Sequence, residues 1–190
     1  MPDRDAHLRW KELSRRSLAA SGLFDLVEAQ RVSSNGRRGD FWILEARDWV
    51  NVVPVIRDPD GTRRFLMVRQ YRHGADLITT EFPAGLIERG EDPSAAAARE
   101  LEEETGHRAG RLSLIGELRP NPAFMTNRCF TFLAEDLVRA SALSLDELEV
   151  LEPLTLTADE VDRQMGRGEL VNAMTVAALF AYHRHLAADR

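Results

Sequence analysis

Cysteine is almost absent. Cys129 stands alone among 190 residues, so neither an internal disulfide nor a CxxC site can form, which fits a reducing compartment. No apolar run approaches the roughly 18 residues of a membrane-spanning helix. Met1 to Arg16 is charged throughout and has no apolar core of a secretory signal, so the expected location is the cytoplasm. Positive charge is not in excess either: 25 Lys+Arg face 31 Asp+Glu for a net charge of −6, and the pI lies near 5.4. That balance disfavours binding to nucleic acid in bulk while leaving room for a local phosphate pocket. Repeats, low-complexity segments and long linkers are missing as well. What is there, 44% hydrophobic and 29% charged residues, suffices for the core of one ordinary domain.

The pattern of apolar residues predicts strands first and a polar helix later. Leu8, Leu13 and Leu18 suggest a weak amphipathic helix over Asp5 to Ala20, ended by Gly22. Phe24–Val32 and Asp40–Ala46 read as strands around the turn Ser33-Ser34-Asn35-Gly36, in which Asn-Gly accepts the positive φ of a hairpin turn. Trp49–Ile56 and Arg64–Gln70 form a second hairpin across Asp58-Pro59-Asp60-Gly61, followed by a short strand at Ile78–Phe82. From Asp92 the chain turns helical, with Asp92 as N-cap, Pro93 at the first position, four alanines, and Gly106 as the stop. Strands are expected again at Arg111–Leu118, Arg128–Ala134 and Val150–Leu156, then a short helix at Ala158–Met165 and a closing one at Glu169–Ala188. This order indicates a mixed sheet covered by helices.

The helix after Asp92 is the informative element. Glu100, Glu103 and Glu104 stand at i, i+3 and i+4, so three carboxylates share one face. Alone they repel, and at the C-terminal end of a helix they also oppose its dipole. Oxygen donors gathered on a rigid helix suit a hard divalent cation, Mg²⁺ or Mn²⁺, which typically bridges to phosphate oxygens. The preceding Phe82-Pro83-Ala84-Gly85 makes a strand, loop and helix unit in which a backbone carbonyl can approach the same ion. Glu102 lies on the other side of the helix.

Gly85, five residues, Glu91, seven residues, Arg99-Glu100-Leu101, one residue, Glu103-Glu104, one residue, Gly106: this spacing resembles the Nudix box of the Nudix hydrolases. His107 is the one departure, standing where that pattern usually has an aliphatic residue. Val68-Arg69-Gln70-Tyr71-Arg72 followed by Glu81-Phe82-Pro83-Ala84-Gly85 is similar to the ADP-ribose pyrophosphatase branch, whose members cleave nucleoside diphosphate sugars. The loop Arg119-Pro120-Asn121-Pro122-Ala123-Phe124-Met125-Thr126-Asn127 departs from that branch and resembles relatives acting on other nucleoside diphosphate sugars.

The resemblance implies an α+β Nudix fold, a mixed sheet sandwiched between helices. Residues 1–48 would form an N-terminal helix and β-hairpin extension used in a homodimer, and 49–190 the hydrolase domain. It implies metal-assisted cleavage of the pyrophosphate of ADP-ribose or a related nucleoside diphosphate sugar, with Glu100, Glu104, Glu103 and the Ala84 carbonyl as metal ligands. Arg99 would orient a box glutamate, and Glu91 would tie loop to helix. The general base is expected in the acidic stretch 144–149, at Glu147 or else Asp146. Arg72 and Arg69 are candidates for phosphate or ribose oxygens, Trp49 and Phe124 for a nucleobase, and Glu81 for a metal or substrate group. Two other functions stay open: hydrolysis of nucleoside triphosphates or dinucleoside polyphosphates, and a non-catalytic nucleotide-sugar sensor.

Overall fold

The computed structural model describes residues 4–145 and 147–188. After a turn of 3-10 helix at Ala6–Leu8, the strands are β1 (Trp10–Ala20), β2 (Phe24–Ser33), β3 (Arg38–Ala46), β4 (Trp49–Arg57), β5 (Arg63–Arg72), β6 (Leu77–Glu81), β7 (Ala84–Leu86), β8 (His107–Leu118), β9 (Cys129–Arg139) and β10 (Leu151–Thr157). The helices are α1 (Pro93–Thr105), α2 (Ala158–Gln164) and α3 (Ala173–Ala188). The chain divides into two compact units, Met1–Arg47 with Arg119–Arg128, and Asp48–Leu118 with Cys129–Arg190.

The first unit is a three-stranded antiparallel sheet in the order β1-β2-β3. Gly36, at a φ of 82°, makes the turn between β2 and β3 that Asn35-Gly36 predicts. The expected helix over Asp5–Ala20 is absent, and β1 takes its place. Leucines five residues apart hold no common helical face. Two register shifts, between Glu12 and Ser14 and between Ser17 and Ala19, break the two-residue alternation that would have marked a strand. Cross-strand pairing of charges, including Arg16 with Glu28 at 2.7 Å, supports this exposed edge. The segment 119–128 joins the unit along β3, where Leu44 N–H donates to Phe124 O at 2.8 Å and Thr126 N–H to Leu44 O at 3.1 Å. Its buried apolar cluster is Val27, Ala29 and Ile43.

The second unit is a seven-stranded mixed sheet in the order β10-β5-β4-β9-β8, with β6 on β5 and β7 on β4. All pairings are antiparallel except β4 with β9, which run parallel from Trp49↔Cys129 to Pro54↔Ala134. Alternation along β4 splits its side chains between two cores. Val50 and Val52 pack with Ala96, Ala97 and Leu101 of α1 and with Phe130 and Phe132 of β9. Val53 and Val55 pack on the other side with Phe65, Met67, Val161 of α2, and Leu179 and Tyr182 of α3. The sheet is thus sandwiched, α1 against one face and α2 with α3 against the other. The helix α1 has the ends its sequence requires: Ser94 N–H donates to the Asp92 carboxylate at 2.8 Å, and Gly106 closes it in the left-handed region at φ 72°. The closing helix is shorter than expected, because Asn172 caps it and 166–171 lies ahead of it as loop. Among the described residues, no helix is long and apolar enough to cross a membrane.

Candidate metal centre

Strand β7 and helix α1 bring the box residues together. Gly85 is needed for close approach: a Cβ there would lie 2.0 Å from Glu100 Oε1, so only glycine lets the helix carboxylate reach the strand. The neighbouring Ala84 N–H donates to Glu104 Oε2 at 3.1 Å, which places the Ala84 peptide at the glutamates. Arg99 stands beneath the group. Its Nε and Nη2 bind Glu91 at 3.0 and 3.1 Å, its Nη1 reaches Glu100 at 2.8 Å and Glu103 at 3.0 Å, and Nη2 also donates to Leu86 O at 3.0 Å. Glu91 in turn accepts from Glu88 N–H at 2.8 Å. One guanidinium therefore ties loop to helix and holds two carboxylates. Glu102 points elsewhere and pairs with Arg108.

Burial makes this acidic group electrostatically costly. Removal from water, with Glu103 and Glu149 adding repulsion, pushes the Glu100 carboxyl up to about 7 despite Arg99. Glu104, 1% exposed, is held well above the usual carboxylate range by burial and then by Glu100 and Glu149, against the Ala84 N–H and Arg72. Arg99 and Arg72, the guanidiniums facing the group, are already shared with Glu91 and Glu81. Anionic oxygens thus outnumber the cations that face them, and a hard divalent ion is what this donor set fits. Among the described residues, no three acidic, His or Cys side chains already surround one point, since Glu100 and Glu103 turn to Arg99.

Strand parity sorts the remaining candidates. On β5 and β6, Val68, Gln70, Arg72, Thr79 and Glu81 share the face toward α1, whereas Arg69, Tyr71, Ile78 and Thr80 share the other. Arg72 belongs with the glutamates and is coupled to Glu104 and Glu149. Its Nε and Nη2 clasp Glu81 at 2.9 and 2.7 Å, and Glu81, 2% exposed, is held below its ordinary range by Arg72 and Thr79 against the effect of burial. Arg69 is on the opposite face, engaged at 2.8 Å by both oxygens of Glu169 and at 3.1 Å by Glu152. Trp49 shares parity with Asn51 and Val53, toward α3, and is half-buried in β4. Neither Arg69 nor Trp49 is brought to the carboxylates. Phe124 lies in the first unit, 43% exposed.

In the acidic stretch, Asp146 lies outside the described residues. Glu147 is exposed in a turn, and among the described residues of the stretch the carboxylate whose charge acts on Glu100, Glu104 and Arg72 is Glu149. The register that explains this, Leu151 opposite Gln70 two residues after Glu149, comes from the fold and was not legible in the sequence.

Fold and site together define an α+β protein whose strand, loop and helix unit gathers carboxylates at one point of the sheet. A NUDIX domain model matches residues 47–174. The chain is 30% identical over 173 residues to the ADP-ribose pyrophosphatase of Bacillus subtilis, covering 90% of this chain and 91% of that one. It is 29% identical over 170 residues to the ADP compounds hydrolase NudE of Escherichia coli, covering 88% of each. Among solved structures, the crystal structure of an ADP compounds hydrolase matches with a TM-score of 0.82 and 26% identity over 95% of this chain and 96% of that chain. The chain belongs to the Nudix family.

Proposed function

We propose that this Nudix protein hydrolyses the pyrophosphate of ADP-ribose or a related nucleoside diphosphate sugar, releasing a nucleoside monophosphate and a sugar phosphate. The observation that carries this reading is the pair of half-buried Glu100 and buried Glu104 beside the Ala84 peptide and Arg72, an excess of anionic oxygen next to a cation aimed by Glu81. The names of the Bacillus subtilis and Escherichia coli relatives and of the solved structure, an ADP-ribose pyrophosphatase and ADP compounds hydrolases, support the substrate class.

In this reading Glu100, Glu103, Glu104 and the Ala84 carbonyl hold Mg²⁺ or Mn²⁺. Such an ion, when bound, neutralises phosphate oxygens and lowers the pKa of water. Arg99 keeps Glu100 and Glu103 in position. Arg72 presents the N–H groups not used on Glu81 to the phosphates, and a planar donor fork suits two of their oxygens. Among the described residues of the acidic stretch, Glu149 rather than Glu147 is the carboxylate to take a proton from water, because its charge acts on Glu100 and Glu104. The opposite-face positions of Arg69 and Trp49 favour structural parts for both.

A homodimer built on the first unit is part of the proposal. Its buried cluster has only Val27, Ala29 and Ile43, while Trp10, Phe41 and Trp42 are 42%, 39% and 63% exposed, which favours a further covering surface. The lone Cys129, buried in β9, is consistent with a cytoplasmic location. Incubation with ADP-ribose, other nucleoside diphosphate sugars and nucleoside triphosphates, with Mg²⁺ or with EDTA, and mass spectrometry of the products test the reading. Metal-dependent release of a nucleoside monophosphate, lost in a Glu103→Gln, Glu104→Gln variant, is the expected result. Binding of a nucleotide sugar without cleavage would replace it with a sensor.

A further inference from the structure

The last four carbonyls of a helix have no partner inside it, and the end of α1 draws its donors from the chain that follows. Gly106 N–H donates to Glu102 O at 2.7 Å. His107 Nδ1 lies 2.8 Å from Thr105 O; a carbonyl only accepts, so the ring nitrogen donates, and the one departure from the box pattern has a task. The rest comes from the segment after β9, a strand that ends at Arg139 opposite His107. Ala140 and Ser141 N–H donate to Gly106 O at 2.9 and 3.2 Å, and Ser144 N–H donates to Glu103 O at 3.0 Å. A side chain at 106 would collide with this segment, since a Cβ there would lie 2.6 Å from Ser141 O. Donors at this pole also offset the negative end of the helix dipole beside Glu103 and Glu104.

Ser144 is where the acidic stretch begins. At its other end Leu151 pairs with Gln70 of β5, and β10 approaches α1. The stretch is thus fastened on one side to the main chain of Glu103 and on the other to the strand that carries Arg72. Between these points Glu149 is half-buried, whereas its neighbours Leu148 and Val150 are 92% and 82% exposed. Of the three, the acidic residue is the one turned toward the protein. We propose that residues 140–144 are a tether, and that Ser144, through its main-chain N–H, is a positioning residue that sets the reach of Glu149 toward the carboxylates of α1. This rests on the reading of Glu149 as the group that takes a proton from water.

Ser144→Pro removes the N–H donor, and Ser144→Ala, the rescue control, keeps it. With ADP-ribose and Mg²⁺, S144P is expected to lower kcat about tenfold while KM changes by less than about twofold, because the proton acceptor is displaced and Arg72 is not. S144A is expected to keep the native kcat, and in a Glu149→Gln background S144P is expected to add nothing. Should proline at 144 prevent folding, two glycines inserted after Ser144 keep every bond of the tether and lengthen only the span to Glu149; the same loss of kcat is expected. An unchanged kcat in these variants, an equal loss in S144A, or a loss that multiplies with that of E149Q would overturn the proposal. Mn²⁺ affinity, read without turnover, is expected to be native in S144P, and a weakened affinity would mean that Ser144 supports the metal helix instead. If the native protein cleaves nothing, the functional reading fails and the role of Glu149 with it. The tether then stands on a slowly exchanging Ser144 amide and falls on a freely exchanging one.

Discussion

The two units are both built on antiparallel strand pairs, yet they keep their apolar residues in opposite places. In the second unit, β4, β5 and β9 are covered on both faces, and the clusters against α1 and against α2 and α3 hold nine and fourteen buried residues. In the first, three strands with no α-helix among the described residues bury three. Its basic residues outnumber its acidic ones, so the net charge of −6 is carried by the second unit. The contrast teaches that strand formation and core formation are separate steps. Hydrogen bonds and cross-strand ion pairs suffice for the first, whereas only layers with something between them supply the hydrophobic term.

The largest expected effect lies in the second unit, where charge is buried for chemistry. Glu104→Gln should lower the rate of nucleotide-sugar cleavage by about 10³-fold or more while the metal-free protein folds at least as stably, a combination checked by kinetics and thermal melts side by side. The contrast in packing is sharpened by truncating one residue type in each unit. Val53→Ala, at 0% exposure in the larger cluster, should cost about 2–3 kcal/mol in urea unfolding, and Val27→Ala, at 5% in the three-residue cluster, about 1 kcal/mol. Equal costs would mean that the first unit is as well packed as the second.

A third test asks what covers the first unit. Phe41→Ser with Trp42→Ser should shift the protein from dimer toward monomer in sedimentation velocity, with the second unit still folded by its near-UV signal. A native protein that sediments as a monomer at all concentrations would break the proposed role. The smallest effect is one of pH. A carboxyl whose folded-state pKa exceeds its unfolded value stabilises the fold while protonated, so its contribution is complete below about 4.5 and is lost as pH rises through about 7 for Glu100. In EDTA, Tm should therefore fall by about 3–6 °C across that window, and Mg²⁺ or a Glu100→Gln, Glu104→Gln variant should flatten the slope.

Much of the second unit was legible because its signals are local. Asp92, Pro93 and Gly106 bound α1 from within its own sequence, and Glu100, Glu103 and Glu104 share a face by helical geometry alone. Gly85 is legible as part of a spacing, although the reason for it, the Glu100 carboxylate in the place of its missing Cβ, needs the fold. What escaped depends on partners distant in sequence. Arg69 reads as a phosphate ligand until Glu169, 100 residues later, is seen to hold it. The strand β1 escaped for another reason: its bulges scramble alternation, and with nearly every residue exposed, no buried face imposes a pattern on it.

The parallel pairing of β4 with β9 has a consequence for how the protein acquires its structure. Trp49 cannot meet Cys129 until some eighty residues between them have been made and brought round, whereas β1, β2 and β3 pair through short local turns. Closing so large a loop is slow relative to hairpin formation. As the chain leaves the ribosome, the N-terminal strands can pair before the sheet of the second unit has formed. Refolding in vitro should accordingly show a fast strand-forming phase ahead of the slower appearance of the carboxylate site, and the interval between them is when aggregation competes.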